Sequence, residues 1–147
     1  MRPLPPPVVA FALFAAAWLV DFRVDPARLV PPPWNELGFL LLLLGPALVL
    51  WPMGLFRRAK TSYLPEDDPR ELVLAGPYRF TRNPMYLGVA TVLTGLALLV
   101  GTWPFFLVPV AFVLVMNATQ ISREEVRLER RFGAEYEAYR RRVRRWI

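Results

Sequence analysis

Two short polar clusters in an otherwise apolar chain carry the side chains that could bind an anion or take part in a reaction. The first spans residues 76–88, GPYRFTRNPMYLG, and combines two arginines, two tyrosines and an amide with two prolines. Each proline fixes its own φ and disfavours helical geometry in the residue before it, so the segment is predicted to be rigid and to end where Pro84 starts a helix. The free backbone N–H groups of a helix start, beside Arg79 and Arg82, suit an anionic group.

The second cluster, residues 122–125 (SREE), follows the last long apolar run. On a helix Glu124 continues the face of Asn117 and Gln120, whereas Glu125 lies about 100° further round. Uncharged polar side chains at the end of an apolar run are unfavourable in lipid unless they face protein, water or a ligand. A polar stripe that leads to a carboxylate, opposite an arginine-rich segment, predicts a pocket that faces the cytosol.

Both clusters also have purely structural explanations, which the residue types leave open. The first is typical of a positively charged connector before a membrane helix, with its tyrosines as interfacial anchors. In the second, Ser122 and Glu125 have the spacing of a capping box that starts a new helix. The glutamates would then simply pair with Arg127 or Arg82.

Composition assigns the chain to the membrane. Of its 147 residues, 55% are hydrophobic and the mean hydropathy is +0.33, which is too apolar for an ordinary soluble domain of this size. Because the chain has no Cys and no His, disulfides, thiolate metal sites and imidazole chemistry are excluded, and no metal site is predicted. The net charge of +6 lies in loops and tail, where anionic headgroups are the expected partner and nucleic acid is not.

Hydrophobic periodicity predicts an all-α integral membrane protein with about four transmembrane helices and a C-terminal amphipathic helix at the cytoplasmic surface. The strongest predicted span, residues 37–56, carries no charge. At about 1.5 Å per residue it is long enough to cross about 30 Å of hydrocarbon. In the third span Gly88, Thr91 and Gly95 form a small-residue face that lets another helix approach closely. In this single domain the predicted spans are about 4–20, 37–56, 84–101 and 103–120, and the cytoplasmic helix is about 122–142.

The charge distribution predicts the orientation. Four crossings place the 18 Lys and Arg residues on one side of the membrane, with the exception of Arg23 and Arg28. By the positive-inside rule both termini and both polar clusters then face the cytoplasm. The membrane that the protein spans is predicted to be the inner or cell membrane. The sequence carries no signal for the oligomeric state.

Two spaced motifs resemble the isoprenylcysteine carboxyl methyltransferase and phospholipid methyltransferase superfamily. The first is G-P-Y-x-x-x-R-x-P-x-Y-x-G, which residues 76–88 follow, and the second begins with the pair Glu124-Glu125. With the hairpin between them, the motifs cover roughly the C-terminal half of the chain. The matching residues after the glutamate pair are Leu128, Phe132, Gly133, Tyr136, Tyr139, Arg145 and Trp146.

The resemblance implies an integral membrane enzyme that takes a methyl group from S-adenosylmethionine and transfers it to a lipophilic acceptor. That acceptor would be an isoprenylcysteine-like carboxylate, a phospholipid headgroup amine or an isoprenoid. Asn83 stands where the family usually has His, and an amide cannot take up a proton. The residues that the resemblance predicts to be catalytic are Arg82, Tyr86 and Glu124, and the predicted cofactor-binding residues are Gly76, Tyr78, Arg82, Asn83, Pro84, Tyr86, Glu124 and Glu125.

Two alternatives remain beside the methyltransferase. The resemblance extends to membrane sterol reductases, so one is a nicotinamide-dependent sterol or isoprenoid reductase on the same scaffold. The other is a non-enzymatic protein whose basic loop and tail bind anionic lipid. The three hypotheses differ in the ligand that they require, which makes binding the discriminating observation.

Overall fold

The computed structural model describes residues 4–59 and 71–147. In these residues the chain forms a bundle with six α-helices. Residues 60–70, part of the predicted cytoplasmic loop, lie outside the described ranges. The all-α fold that periodicity predicts is confirmed. In chain order the helices are α1 (Pro6–Val24), α2 (Leu37–Arg58), α3 (Pro84–Val100), α4 (Trp103–Met116), α5 (Ser122–Phe132) and α6 (Ala134–Arg142).

Three stretches are long and apolar enough to cross a membrane, and α3 is a shorter apolar helix. The long stretches are Pro6–Val24, Trp34–Arg58 and Trp103–Phe132. The predicted four-helix membrane layout is therefore confirmed. Helix α1 continues past its predicted end near residue 20 to Val24, and within this extension the carboxylate of Asp21 accepts a hydrogen bond of 2.5 Å from the hydroxyl of Thr102.

The four apolar helices run up and down between two ends of the bundle. At the distal end the chain after α1 meets the turn between α3 and α4, where Leu29 N–H donates to the Gly101 carbonyl at 2.7 Å. At the proximal end the turn Gly76–Arg79 packs against α2, and the chain before α1 contacts the end of α4. The α3–α4 hairpin therefore extends from the proximal end to the distal end, as α1 does.

Helices α2 and α3 approach each other through reciprocal glycines. A Cβ on Gly38 would lie 2.4 Å from the carbonyl oxygen of Gly95, and a Cβ on Gly88 would lie 2.7 Å from that of Gly45. Such contacts with backbone atoms cannot relax by a side-chain rotation, so only glycine fits. The small-residue face predicted on α3 is thus a packing face, and its partner is α2.

Helix α4 supplies the centre of the core. Its residues Phe105, Phe112 and Met116 are fully buried or nearly so, between α1 and α3. The ring of Phe14 on α1 meets that of Phe105 edge-on at 5.0 Å between centroids. This packing fixes α4 against α3 and so fixes the relative positions of the two polar clusters, which lie at the proximal ends of these helices.

The charged C-terminal segment forms two helices and an extended tail. A π-helical turn, Asn117–Ile121, joins α4 directly to α5, and the chain then breaks at Gly133, where φ is +48°. The predicted helix over 122–142 is therefore divided into α5 and α6. No capping box forms at Ser122, since its hydroxyl donates to the Asn117 carbonyl of the preceding turn at 2.6 Å. Residues 143–147, which follow α6, are called the strap below.

Candidate active site

The two polar clusters meet at Tyr86. This residue lies in the first turn of α3, as the predicted helix start at Pro84 requires, and its hydroxyl donates to Glu124 Oε1 at 2.5 Å. The same hydroxyl lies 2.9 Å from Gln120 Oε1. Tyr86 and Gln120 are buried. Tyr86, Gln120 and Glu124 are called the Tyr86 cluster below.

Tyr78 lies beside this cluster. Its ring packs edge-on against Phe56 of α2 at 5.7 Å between centroids, and its backbone carbonyl accepts a hydrogen bond of 2.8 Å from the Tyr139 hydroxyl. Burial raises the pKa of the Tyr78 phenol well above its usual range, and the nearby Tyr139 and Glu124 raise it further. Tyr78 is therefore a neutral phenol over the physiological pH range.

Glu125 faces away from the Tyr86 cluster and lies between two guanidinium groups. Its Oε1 is 3.2 Å from Arg82 Nη1 and accepts a hydrogen bond of 3.0 Å from Arg145 Nε, while Arg145 Nη2 donates to the other oxygen. The Arg82 side chain is 11% exposed and that of Arg145 is 37% exposed. Arg82 Nη1 is also 3.5 Å from the Tyr136 hydroxyl, and Arg82 Nε is buried with no hydrogen-bond partner. Two cations share one carboxylate, so this part of the site suits a further anionic group.

The strap crosses over the loop that carries the first cluster. The carbonyl of Arg145 accepts hydrogen bonds from Thr81 Oγ1 at 3.1 Å and from Asn83 Nδ2 at 2.9 Å. The backbone N–H of Arg82 donates to the carbonyl of Arg144 at 3.0 Å. Asn83 therefore uses its amide as a hydrogen-bond donor that holds the strap.

On its other side the strap contacts the end of α4. The indole N–H of Trp146 donates to Asn117 Oδ1 at 3.1 Å, and the ring packs against the core. Through Trp146 and Arg145 the strap connects the π turn and α5 with the loop before α3. It is thus a third component of the site, in addition to the two clusters that the sequence singles out.

The remaining predicted site residues shape the backbone. Gly76 has φ of +61° and lies on the α2 side, where a Cβ would be 2.9 Å from Leu55 Cδ1. Pro84 is fully buried at the start of α3. The predicted site residues therefore divide by position. Tyr86 and Glu124 belong to the Tyr86 cluster, and Tyr78 lies beside it. Arg82 and Glu125 form an ion pair. Gly76, Asn83 and Pro84 shape the backbone around these groups.

Sequence reasoning did not assign a role to three groups that the structure places here. Gln120 belongs to the predicted polar stripe, but its pairing with Tyr86 depends on how α3 and α4 pack. Arg145 belongs to the second motif of the resemblance, but the motif does not show that its guanidinium pairs with Glu125. The third group is the backbone carbonyl of Leu4, which accepts a hydrogen bond from Gln120 Nε2. A backbone carbonyl leaves no signal in a sequence.

Comparison with known proteins bears out the resemblance. Residues 34–135 match the family model described as phospholipid methyltransferase, a range that contains both clusters and the hairpin between them. A protein of Haemophilus influenzae, named only as an uncharacterized protein, is 43% identical over 63 residues, which are 43% of this chain and 100% of that protein. No solved structure matches the chain at a significant level.

Proposed function

The chain belongs to the phospholipid methyltransferase family, and from this premise we propose that it transfers a methyl group from S-adenosylmethionine to a lipophilic acceptor at the cytoplasmic face of the membrane. One observation supports this above all others. The hydrogen bond of 2.5 Å between Tyr86 and Glu124 joins the two motifs that carry the family resemblance, although they lie far apart in the sequence. A polar site built from these motifs, at one end of an apolar bundle, is what such a reaction requires.

The residues of the site fit this cofactor. S-adenosylmethionine supplies an electrophilic methyl group on a sulfonium, and it also carries a carboxylate, an amino group and ribose hydroxyls. Arg82 and Arg145 together exceed the charge of Glu125, and the buried Nε of Arg82 is without a partner. We assign the cofactor carboxylate to these guanidinium groups, because Arg binds carboxylates with charge-assisted hydrogen bonds.

Glu124, and not Glu125, is the carboxylate that we assign to direct cofactor contact. Both oxygens of Glu125 are engaged by Arg82 and Arg145. Glu124 has one oxygen on Tyr86, which leaves acceptor capacity for an amino group or for ribose hydroxyls. Methyl transfer depends on alignment and on a dry pocket more than on a strong base, and the buried phenols of Tyr78 and Tyr86 would exclude water there.

Among the three acceptors that the resemblance implies, the family favours the phospholipid headgroup amine. An ammonium group must lose a proton before its nitrogen can form a bond to carbon. The chain has no histidine, and Asn83 cannot accept a proton. Glu124 is the carboxylate of the Tyr86 cluster, so we assign the uptake of that proton to Glu124.

Calorimetry with S-adenosylhomocysteine, the demethylated product, tests this proposal on protein purified in detergent. Glu124→Ala and Arg82→Ala should each weaken binding roughly ten- to a hundredfold, since a charge-assisted contact is worth about 1.5–3 kcal/mol. Wild-type affinity in both variants would contradict the site assignment.

Thermal unfolding separates the three functional hypotheses. A methyltransferase is stabilised by S-adenosylhomocysteine and not by a nicotinamide dinucleotide, because only a ligand that binds the native state raises its stability. A reductase would give the opposite result. A protein that only binds anionic lipid would be stabilised by neither.

A further inference from the structure

We propose that Gln120 is a positioning residue of this site, which acts through Tyr86 to hold the Glu124 carboxylate in place. The inference rests on the proposed function, because it concerns how Glu124 is presented to the cofactor. It assigns part of the cofactor affinity to a side chain that contacts neither cofactor nor acceptor.

Both ends of the Gln120 amide are engaged inside the protein. The side chain is 4% exposed, its Nε2 donates to the Leu4 carbonyl, and its Oε1 accepts from the Tyr86 hydroxyl at 2.9 Å. A carbonyl oxygen can only accept a hydrogen bond, so the amide nitrogen must face Leu4 and the amide oxygen must face Tyr86. The orientation of Gln120 is therefore determined by its surroundings.

The Tyr86 hydroxyl in turn has two hydrogen-bond acceptors. Its single proton is shared between Gln120 Oε1 at 2.9 Å and Glu124 Oε1 at 2.5 Å, which are one helical turn apart on the same side of the helix. Without the Gln120 oxygen, the phenol has one acceptor and the Tyr86–Glu124 pair can shift together. Gln120 thus restricts the position of a carboxylate that it does not touch.

The helix is irregular at this point. Gln120 lies in the π turn Asn117–Ile121, and single π turns within α-helices occur frequently at functional sites. The neighbouring Thr119 is different, because its hydroxyl donates to the Val115 carbonyl of its own helix at 2.6 Å. Thr119 therefore offers a matched control in the same turn.

The first measurement is the affinity for S-adenosylhomocysteine by calorimetry. Gln120→Leu should weaken binding roughly three- to tenfold, the range expected for one neutral hydrogen bond. Thr119→Val removes a hydroxyl from the same turn and should bind within about twofold of the wild type. Equal affinity of Gln120→Leu and the wild type would overturn the proposal.

A double-mutant cycle shows whether Gln120 acts through Tyr86. Tyr86→Phe removes the hydroxyl that connects the two side chains, so Gln120→Leu should have almost no further effect on affinity in that background. Additive losses would mean that Gln120 only supports the fold, and they would also overturn the proposal. Should Gln120→Leu not fold, Gln120→Met, which keeps an unbranched side chain without the amide, takes its place in the cycle.

The outcomes distinguish this inference from the proposed function. If Tyr86→Phe and Glu124→Ala bind S-adenosylhomocysteine like the wild type, the proposed site itself is wrong. If both weaken binding while Gln120→Leu does not, or does so additively, the site stands and only the positioning role of Gln120 fails.

Discussion

Glu124 and Glu125 are adjacent in the chain, yet their surroundings give them different tasks. Glu124 accepts a hydrogen bond from Tyr86, and Glu125 is held between the guanidinium groups of Arg82 and Arg145. Because Glu125 is only 12% exposed, loss of its charge leaves two partly buried cations without their partner. Adjacent residues with the same chemistry are therefore expected to make unequal contributions to stability and to binding.

Removing the charge of either glutamate should therefore have a different effect. Glu125→Gln should lower the free energy of unfolding by about 1–3 kcal/mol, as expected for a weakened charged hydrogen-bond pair. Glu124→Gln should lower the affinity for S-adenosylhomocysteine at least tenfold and change the stability less. Thermal unfolding and calorimetry on both variants check this prediction. The opposite assignment of effects would show that Glu125 is the cofactor-facing residue.

At this scale the sequence predicts which residues belong to the site better than what each one does. The family resemblance places both Tyr86 and Glu124 among the predicted site residues. A helical wheel places the two glutamates about 100° apart but does not show which direction holds the arginines. That Arg145 returns to Glu125, and that Asn83 donates to the strap, depends on the break at Gly133 and on the extended chain after α6.

The strap is the element whose contribution is easiest to isolate. Asn83→Ala removes one of the hydrogen bonds that hold the Arg145 carbonyl. The strap should then present Arg145 less firmly, and S-adenosylhomocysteine should bind several-fold more weakly, in line with about 1 kcal/mol for one hydrogen bond. Asn35→Ala is the matched control, since Asn35 Nδ2 donates to the Leu99 carbonyl at the distal end. If both variants bind alike, the strap has no part in the site.

The contact between α2 and α3 gives a prediction about stability. A Cβ on Gly45 would lie 2.8 Å from the Gly88 carbonyl oxygen, whereas a Cβ on Gly54 of the same helix meets nothing within 4 Å. Gly45→Ala should therefore lower the free energy of unfolding by about 1–3 kcal/mol through overpacking. Gly54→Ala should leave it unchanged or raise it by up to about 1 kcal/mol, since Ala favours the helix. Unfolding midpoints in detergent decide between these outcomes. An equal loss in both variants would contradict the packing account.

The existence of the elements is easier to predict than their continuity. Each apolar run of the sequence corresponds to a helix, because length and hydropathy are sufficient in a membrane. The junction at Ser122 is different, since Ser122 and Glu125 have the spacing of a capping box although the chain continues through a π turn. The hydroxyl of Ser122 instead donates a hydrogen bond to the Asn117 carbonyl in the preceding turn. Packing at the end of α4 decides between this hydrogen bond and a capping box.

For the whole molecule, the orientation in the membrane is the property on which a cytoplasmic site depends. The chain has no native cysteine, so single cysteines can report it. Arg28→Cys, at the distal end, should react with a membrane-impermeant maleimide in intact cells. Arg141→Cys, on the exposed surface of α6, should react only after permeabilisation. The reverse pattern would place the site on the outer face.

The Tyr86 cluster is proposed to support methyl transfer to a membrane-borne acceptor. Membranes that contain the protein should be incubated with S-adenosylmethionine labelled in its methyl group, and the label should be followed in the extracted lipids. The account predicts label in a lipid product with the wild type, and at least a tenfold lower rate with Glu124→Gln. Absence of label in any lipid product, or equal labelling by Glu124→Gln, would contradict it.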